Sequence, residues 1–372
     1  MNYEQNYRKL ISGQKSGIGA AFCRFFLSGV SVGYSGAVRL RNSLYSKGIF
    51  KSHSVNAVVI SIGNITVGGT GKTPLVVWLH KYLQEKQINC AILTRGYKTQ
   101  TKGRATSYDR RATAIDEPGI LAENCPQAKV IVNPDRVAGA RESINKFGAE
   151  ILIMDDGFQH RRLARGLDIV TIDATQPFGY DKIFPAGLLR EPVASLKRAD
   201  AVVITRCDQI PENELDKLEK QLRAINPDML ITRSIHAPVS AQTIGDKQIN
   251  LDQLKGRKIF AFCGIGNPEA FLNTIKTLGA ELVGSKIYDD HYHYTNACLA
   301  DIYEQAEHLG ADLVLTTQKD WTKTISNLKS QISDSKFVLP FAYLEIEIKF
   351  LAGEDKLTNL IENTLAGKIS PK

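Results

Sequence analysis

No two cysteines in this chain stand in C-x-x-C spacing; Cys23, Cys90, Cys125, Cys207, Cys263 and Cys298 are scattered singly. That argues against a zinc site and a disulfide framework, and a reduced, cytoplasmic compartment is expected. Internal repeats and low-complexity tracts are also lacking. Acidic residues are nearly missing from the first 51 positions, where Glu4 stands alone against Arg8, Lys9, Lys15, Arg24, Arg39, Arg41, Lys47 and Lys51. Nearly all of the formal charge of +8 therefore sits in this arm. Such a segment suits anionic phosphate surfaces, whether lipid headgroups or nucleic acid. Nucleic acid is the weaker partner, because the arm is apolar between its charges and no nucleic-acid module follows.

Long apolar runs are scarce too. One stretch, Gly17 to Val38, is mostly apolar or small, with Arg24 as its only charge. About 20 apolar residues suffice to cross a bilayer. Yet Arg24 and the many Gly and Ser residues weaken a spanning helix, and basic residues on both sides give no orientation. No small-residue cleavage site marks a signal peptide. Three arrangements stay open: a helix lying in the interface with Phe22, Phe25, Phe26 and Leu27 in lipid, a helix packed on the protein's own core, and a span.

What is present is a globular composition, 43% hydrophobic and 23% charged over 372 residues, enough for two domains. Apolar runs at Ala57–Ile62, Cys90–Thr94, Lys129–Val132, Ile151–Met154, Asp168–Ile172 and Ala201–Thr205 alternate with helical patterns such as Gly71–Gln84 and Arg136–Lys146. Buried strands separated by helices predict an α/β fold, a parallel sheet covered on both faces. A second alternating set starts near Lys258, after a polar stretch around Ala237–Gly256. The expected organisation is an arm over 1–51, a nucleotide-binding domain over 52–240 and a smaller α/β domain over 257–372.

The strand at Ala57–Gly63 runs into Asn64-Ile-Thr-Val-Gly-Gly-Thr-Gly-Lys-Thr-Pro74 and then a helical pattern. This is the strand–loop–helix context of a phosphate-binding P-loop. The loop comprises Thr66, Val67, Gly68, Gly69, Thr70, Gly71, Lys72 and Thr73, with Thr66 where the motif's first Gly normally sits. Its glycines let the backbone wrap phosphate oxygens, and the helix N-terminus points N–H groups at the anion. Lys72 is expected to reach the β- and γ-phosphates of ATP, and Thr73 to offer its hydroxyl to Mg²⁺. Ile151-Leu-Ile-Met-Asp-Asp156 is an apolar strand ending in two acids, the pattern of a carboxylate site for Mg²⁺. Phosphoryl transfer to a hydroxyl also needs a proton acceptor and positive charge. Asp116, Glu117, His160, Asp289, Asp290, His291, His293, Arg95 and Arg190 are candidates that spacing alone does not separate.

The loop, together with Thr94-Arg-Gly-Tyr97, Asp116-Glu-Pro118, Asp155-Asp-Gly-Phe-Gln-His160 and Pro185-Ala-Gly-Leu-Leu-Arg-Glu-Pro192, resembles the signatures of the tetraacyldisaccharide 4′-kinase family. Arg39-Leu-Arg-Asn-Ser-Leu-Tyr45 and Asp290-His291 resemble it as well, so the likeness runs from about Val38 to Asp320. It implies a P-loop kinase moving the ATP γ-phosphate to the 4′-hydroxyl of a lipid A disaccharide precursor, at the cytoplasmic face of an inner membrane. It also implies two α/β domains with the nucleotide between them. Asp116 is implied as the base, His291 as its partner, and Asp155 and Asp156 as the metal-side pair. Arg95, Tyr97, Arg190 and Glu191 match positions near the nucleotide or acceptor. The chain departs from the family pattern at Gly179-Tyr180-Asp181, at Gln318, and in Asp290-His-Tyr-His-Tyr294, where His293 rivals His291. The competing class is a P-loop GTPase or ATPase switch, whose base-reading motif Thr205-Arg-Cys-Asp208 and Thr317-Gln-Lys-Asp320 faintly resemble.

Overall fold

The computed structural model describes residues 3–96, 106–107, 117–245, 247–333 and 338–367. In chain order the elements are α1 (Tyr3–Ile11), α2 (Ile18–Ser46), β1 (Val58–Gly63), α3 (Lys72–Glu85), β2 (Cys90–Thr94), β3 (Thr106–Ser107), α4 (Glu117–Asn124), β4 (Lys129–Val132), α5 (Arg136–Phe147), β5 (Ile151–Asp155), β6 (Leu167–Asp173), β7 (Ala201–Thr205), α6 (Glu212–Ile225) and β8 (Leu230–Thr243). There follow β9 (Gln248–Ile249), β10 (Lys258–Cys263), α7 (Pro268–Thr277), β11 (Glu281–Ile287), α8 (Asn296–His308), β12 (Leu313–Thr317), α9 (Gln318–Ser333), β13 (Phe341–Ala352) and α10 (Glu354–Leu365).

The chain divides into a larger unit (Gln5–Ala112, Leu121–Ile235, Ile348–Lys372) and a smaller one built chiefly from His236–Glu347. In the larger unit the strands run β8-β7-β6-β1-β5-β2-β4-β3, parallel except for β3. Strands β2, β5, β6 and β7 are buried at every position, as their unbroken apolar runs demand. Helix α3 covers one face with Leu75, Val76, Leu79 and Leu83 against Ile60 and Ile62. Helix α5 covers the other, setting Val137 and Ala140 against Val59 and Leu93. Strand β1 lies between β5 and β6, so the loop after β1 opens beside the ends of both, where α/β sheets bind ligands. The smaller unit pairs β11-β10-β12-β13 in parallel.

The expected third segment, 257–372, is corrected at its end. Residues Ile348–Lys372 belong to the larger unit. Leu357 and Ile361 on α10 are fully buried among Ile60, Leu75 and Leu79, and Phe350 packs on Trp78 at 4.9 Å between ring centroids. The apolar face of α10 finds its cover on α3, which no local pattern reveals.

Helix α2 inverts the usual amphipathic arrangement. Its polar side is docked: Ser31 Oγ donates to Ile183 O (2.6 Å), and Arg41 and Asn42 donate to Glu191 (2.8 and 3.0 Å). Its apolar side faces out, with Phe25 80% exposed and Ile18, Phe22, Phe26, Val32 and Leu40 exposed with it.

Candidate functional site

The phosphate loop is built by tight packing behind it. A Cβ on Gly63 would stand 2.6 Å from Phe158 Cβ, so the strand's last residue cannot carry a side chain while the Asp155–His160 turn lies against it. Gly68 (φ 124) and Gly71 (φ 87) adopt backbone angles that favour glycine, and Gly71 opens α3. Thr66 takes no such angle. It bridges Leu189 in antiparallel fashion, Val67 N–H donates to Leu188 O (2.7 Å), and Arg190 N–H donates to Ile65 O (2.7 Å). The position therefore tolerates a threonine, and the segment around Leu188–Arg190 serves as a strap for the loop.

Lys72 and Thr73 occupy the first two positions of α3, both partly accessible. Lys72 Nζ lies 3.4 Å from Asp156 Oδ1, and Arg190 Nη1 donates to both carboxylate oxygens of Asp156 at 2.8 Å. Burial alone would raise the Asp156 carboxyl, but Lys72 and Arg190 outweigh it and hold the group well below the usual range. Asp156 (φ 51) turns the chain out of β5 and so projects into the loop. Asp155 is buried, opposite Ile62 in the β1–β5 register, and accepts from Thr94 Oγ1 at 3.3 Å. Arg136, buried at the start of α5, donates to Asp155 O (3.2 Å) and Asn133 O (3.0 Å). Burial, with Arg136 nearby, pushes the His160 imidazole down to about 4, so it is neutral at physiological pH.

The oxygen set suits magnesium. Among the described residues no trio of His, Cys, Asp or Glu forms a protein-only cage. A Mg²⁺ ion held mainly by phosphate and water would need only one or two protein oxygens, the kind of donor that Thr73, Asp155 and Asp156 carry.

In the smaller unit His291 sits at φ 60, unusual for a side chain of its size, with its N–H donating to Asp290 Oδ1 (3.0 Å). Lys319 Nζ lies 3.0 Å from Asp290 Oδ1 and 3.3 Å from His291 Nε2. The His291 ring nitrogen Nε2 thus stands beside both Lys319 and Asp290, 3.8 Å from the latter's Oδ2. Burial raises the Asp290 carboxyl, yet Lys319 and then His291 bring it below its ordinary value. His293 is exposed.

Asp116 and Tyr97 lie outside the described residues. Arg95 follows β2 and is exposed. Glu191 is fully buried and receives Arg41 (2.8 Å), Asn42 (3.0 Å) and Arg198 (2.9 Å), which makes it an anchor of α2. Sequence reading missed Arg136 and Lys319; a lone basic residue at a helix start carries no signal until its carboxylate partner is placed. Of the two fragments resembling a base-reading motif, Asp320 is buried and accepts Gly264 N–H (2.9 Å) and Thr317 Oγ1–H (2.8 Å), closing its own helix start.

The pattern of the Tetraacyldisaccharide-1-P 4'-kinase family matches residues 23–366. The tetraacyldisaccharide 4'-kinase of Halothermothrix orenii is 36% identical over 343 residues, covering 87% of this chain and 89% of that one. The enzyme of the same name from Chlorobaculum parvum is 34% identical and covers 93% and 96%. Among solved structures, LpxK from Aquifex aeolicus in complex with ATP superposes with a TM-score of 0.69 at 29% identity, over 92% of this chain and 99% of that one.

Proposed function

Because the chain belongs to the tetraacyldisaccharide 4'-kinase family, we propose that it transfers the γ-phosphate of ATP to the 4′-hydroxyl of a tetraacyldisaccharide 1-phosphate, yielding the 4′-phosphorylated lipid A precursor. The observation that carries this reading is the Lys72–Asp156–Arg190 cluster at the mouth of the loop. Two cations converge on a carboxylate there, and a nucleotide's phosphates, which bear more charge, would draw both away from it. Lys72 and Arg190 then stand to balance the charge on the transferring phosphoryl group. Mg²⁺, held by Thr73 and an aspartate of the Asp155–Asp156 pair, would offset charge on the phosphate oxygens.

We assign proton removal from the sugar alcohol to Asp116, on the strength of the family motif, with His291 as its partner. The contacts of His291 with Asp290 and Lys319 hold the ring in place for that role. Incubation of ATP and Mg²⁺ with the disaccharide 1-phosphate tests the assignment. Wild type should form phosphorylated product, Lys72→Ala should lose about 10²–10³-fold in rate, as single charge-stabilising groups do, and Asp116→Ala should lose at least as much. Undiminished turnover by Lys72→Ala would sink the reading.

The same reading places the enzyme on an inner-membrane surface facing the cytoplasm. It is supported by the exposed apolar side of α2 and the exposed Arg39, Lys47 and Lys51 close by in the chain. Apolar burial plus attraction to anionic heads is the combination that holds a helix in the interface.

A further inference from the structure

The fragment Thr205-Arg-Cys-Asp208 has the look of a base-reading motif, yet its first two side chains turn toward the phosphate loop. Arg206, buried and in the left-handed region at φ 57, donates from Nη1 to Gly69 O at 3.0 Å and forms an ion pair with buried Asp173 at the end of β6. Thr205 Oγ1 donates to Thr70 O at 3.0 Å, and Asn64 Nδ2 makes a longer contact with Gly68 O at 3.4 Å. Asn64 also donates to Thr70 Oγ1 (3.0 Å), which shares a hydrogen bond with Thr171 Oγ1 (2.7 Å). Three successive loop carbonyls, those of residues 68, 69 and 70, are thus gripped by side chains from behind.

A planar trans peptide places the C=O of one residue and the N–H of the next on opposite sides. Fixing the carbonyls of Gly68, Gly69 and Thr70 toward Asn64, Arg206 and Thr205 therefore turns the N–H groups of Gly69, Thr70 and Gly71 the other way. Among the described residues no backbone carbonyl takes these three N–H groups. A glycine-rich run is the segment most able to flip its peptides, because its residues accept either sign of φ. Without the grip, the amides would face phosphate only part of the time. Arg206 is also held in a backbone region that non-glycine residues seldom occupy, a cost that persists only where the surroundings enforce it.

We propose that Arg206, oriented by Asp173, is a positioning residue for nucleotide binding: it holds the Gly69 carbonyl so that the loop amides stay aimed at the phosphate chain. Thr205 does the same for the next peptide. Neither touches nucleotide, and the ligand they select is a nucleoside with two or more phosphates, since a monophosphate has no β- or γ-phosphate to fill the cradle.

The inference rests on the ATP reading above, and titration calorimetry of the full-length protein in detergent micelles separates the two. Wild type that binds no ATP refutes the kinase reading. If wild type binds ATP, Arg206→Gln should weaken ATP at least tenfold while AMP changes less than twofold, and Arg206→Lys should recover part of the loss. In turnover, KM for ATP should rise while KM for the lipid acceptor stays put. Arg206→Gln that binds ATP within twofold of wild type overturns the proposal, as does an equal loss for ATP, AMP and acceptor. Should Arg206→Gln fail to fold, Asp173→Asn and Thr205→Val decide by the same measurements: a selective loss of ATP supports the grip, and unchanged ATP binding in both refutes it.

Discussion

Asp156 and His160 sit five residues or fewer from the strand end at Ile151–Asp155, yet their titrations act in separate windows. His160 is driven down to about 4 by burial and Arg136, against about 6.5 in an unfolded chain. A depressed folded value means the unfolded state binds the proton first. The stability this neutral ring contributes is complete above about pH 6.5 and is lost as pH falls toward 4, at about 1.4 kcal/mol per pKa unit before any discount for solvent access. Asp156 is lowered as well, burial notwithstanding, so its contribution persists through that window and goes only below about pH 4. Thermal melts should therefore lose Tm between pH 6.5 and 4, and His160→Gln should flatten that slope. An identical slope in the variant would show that another group titrates there. The paired acids were legible because they end an apolar strand. Their partners were not: Arg190 lies 34 residues beyond Asp156, and only the strap along the loop brings it near. Its neighbour Glu191 resembled a position near the nucleotide or acceptor, but its carboxylate is buried and takes Arg41, Asn42 and Arg198. Arg190 turns to the loop and Glu191 to α2.

At the scale of elements, α2 joins a docked polar side to an exposed apolar one. Glu191 takes three donors from α2 and Arg198 in a fully buried position. Burial raises its carboxyl, but Arg198 and Arg41 bring it below its usual value, so it stays ionised. Removing one partner of a buried ion cluster strands the rest, so Glu191→Ala should cost about 3–5 kcal/mol, measured by denaturant unfolding. A loss under about 1 kcal/mol would mean α2 is held elsewhere. The apolar side makes a different prediction. Replacing Phe22, Phe25 and Phe26 together with Ser should leave the fold's Tm within a few degrees, since all three are exposed, but should abolish sedimentation with anionic vesicles. Retained sedimentation would put the membrane contact on another surface. The sequence offered this stretch as one that could meet lipid, from its apolar length and its aromatic residues, beside a helix packed on the protein's own core. It could not say which side docks, because the docking groups are serine, arginine and asparagine, which pattern reading assigns to solvent.

For the whole molecule, the unit boundary falls inside β8, between Ile235 and His236, and the chain returns to the larger unit at Ile348. Strands β1, β2, β4, β5, β6 and β7 were readable as apolar runs, whereas β8, β13 and this return were not; Leu357 and Ile361 form an ordinary helical stripe whose destination is set by α3. Their destination has a measurable consequence. Leu357 is fully buried against the sheet face that carries β1 and the phosphate loop. Leu357→Ala should cost about 2–5 kcal/mol through lost burial and a residual cavity. Any ligand that binds only the folded unit raises its stability by about 2.7 kcal/mol at a hundredfold excess over Kd. The transition that shifts up on adding ATP and Mg²⁺ should therefore be the one that Leu357→Ala moves down, although the substitution lies some 285 residues beyond Lys72 in the chain. An ATP-responsive transition untouched by Leu357→Ala would mean that α10 does not share the nucleotide unit's stability. The packing of α10 on α3 would then be a surface attachment, not part of the core that supports the loop.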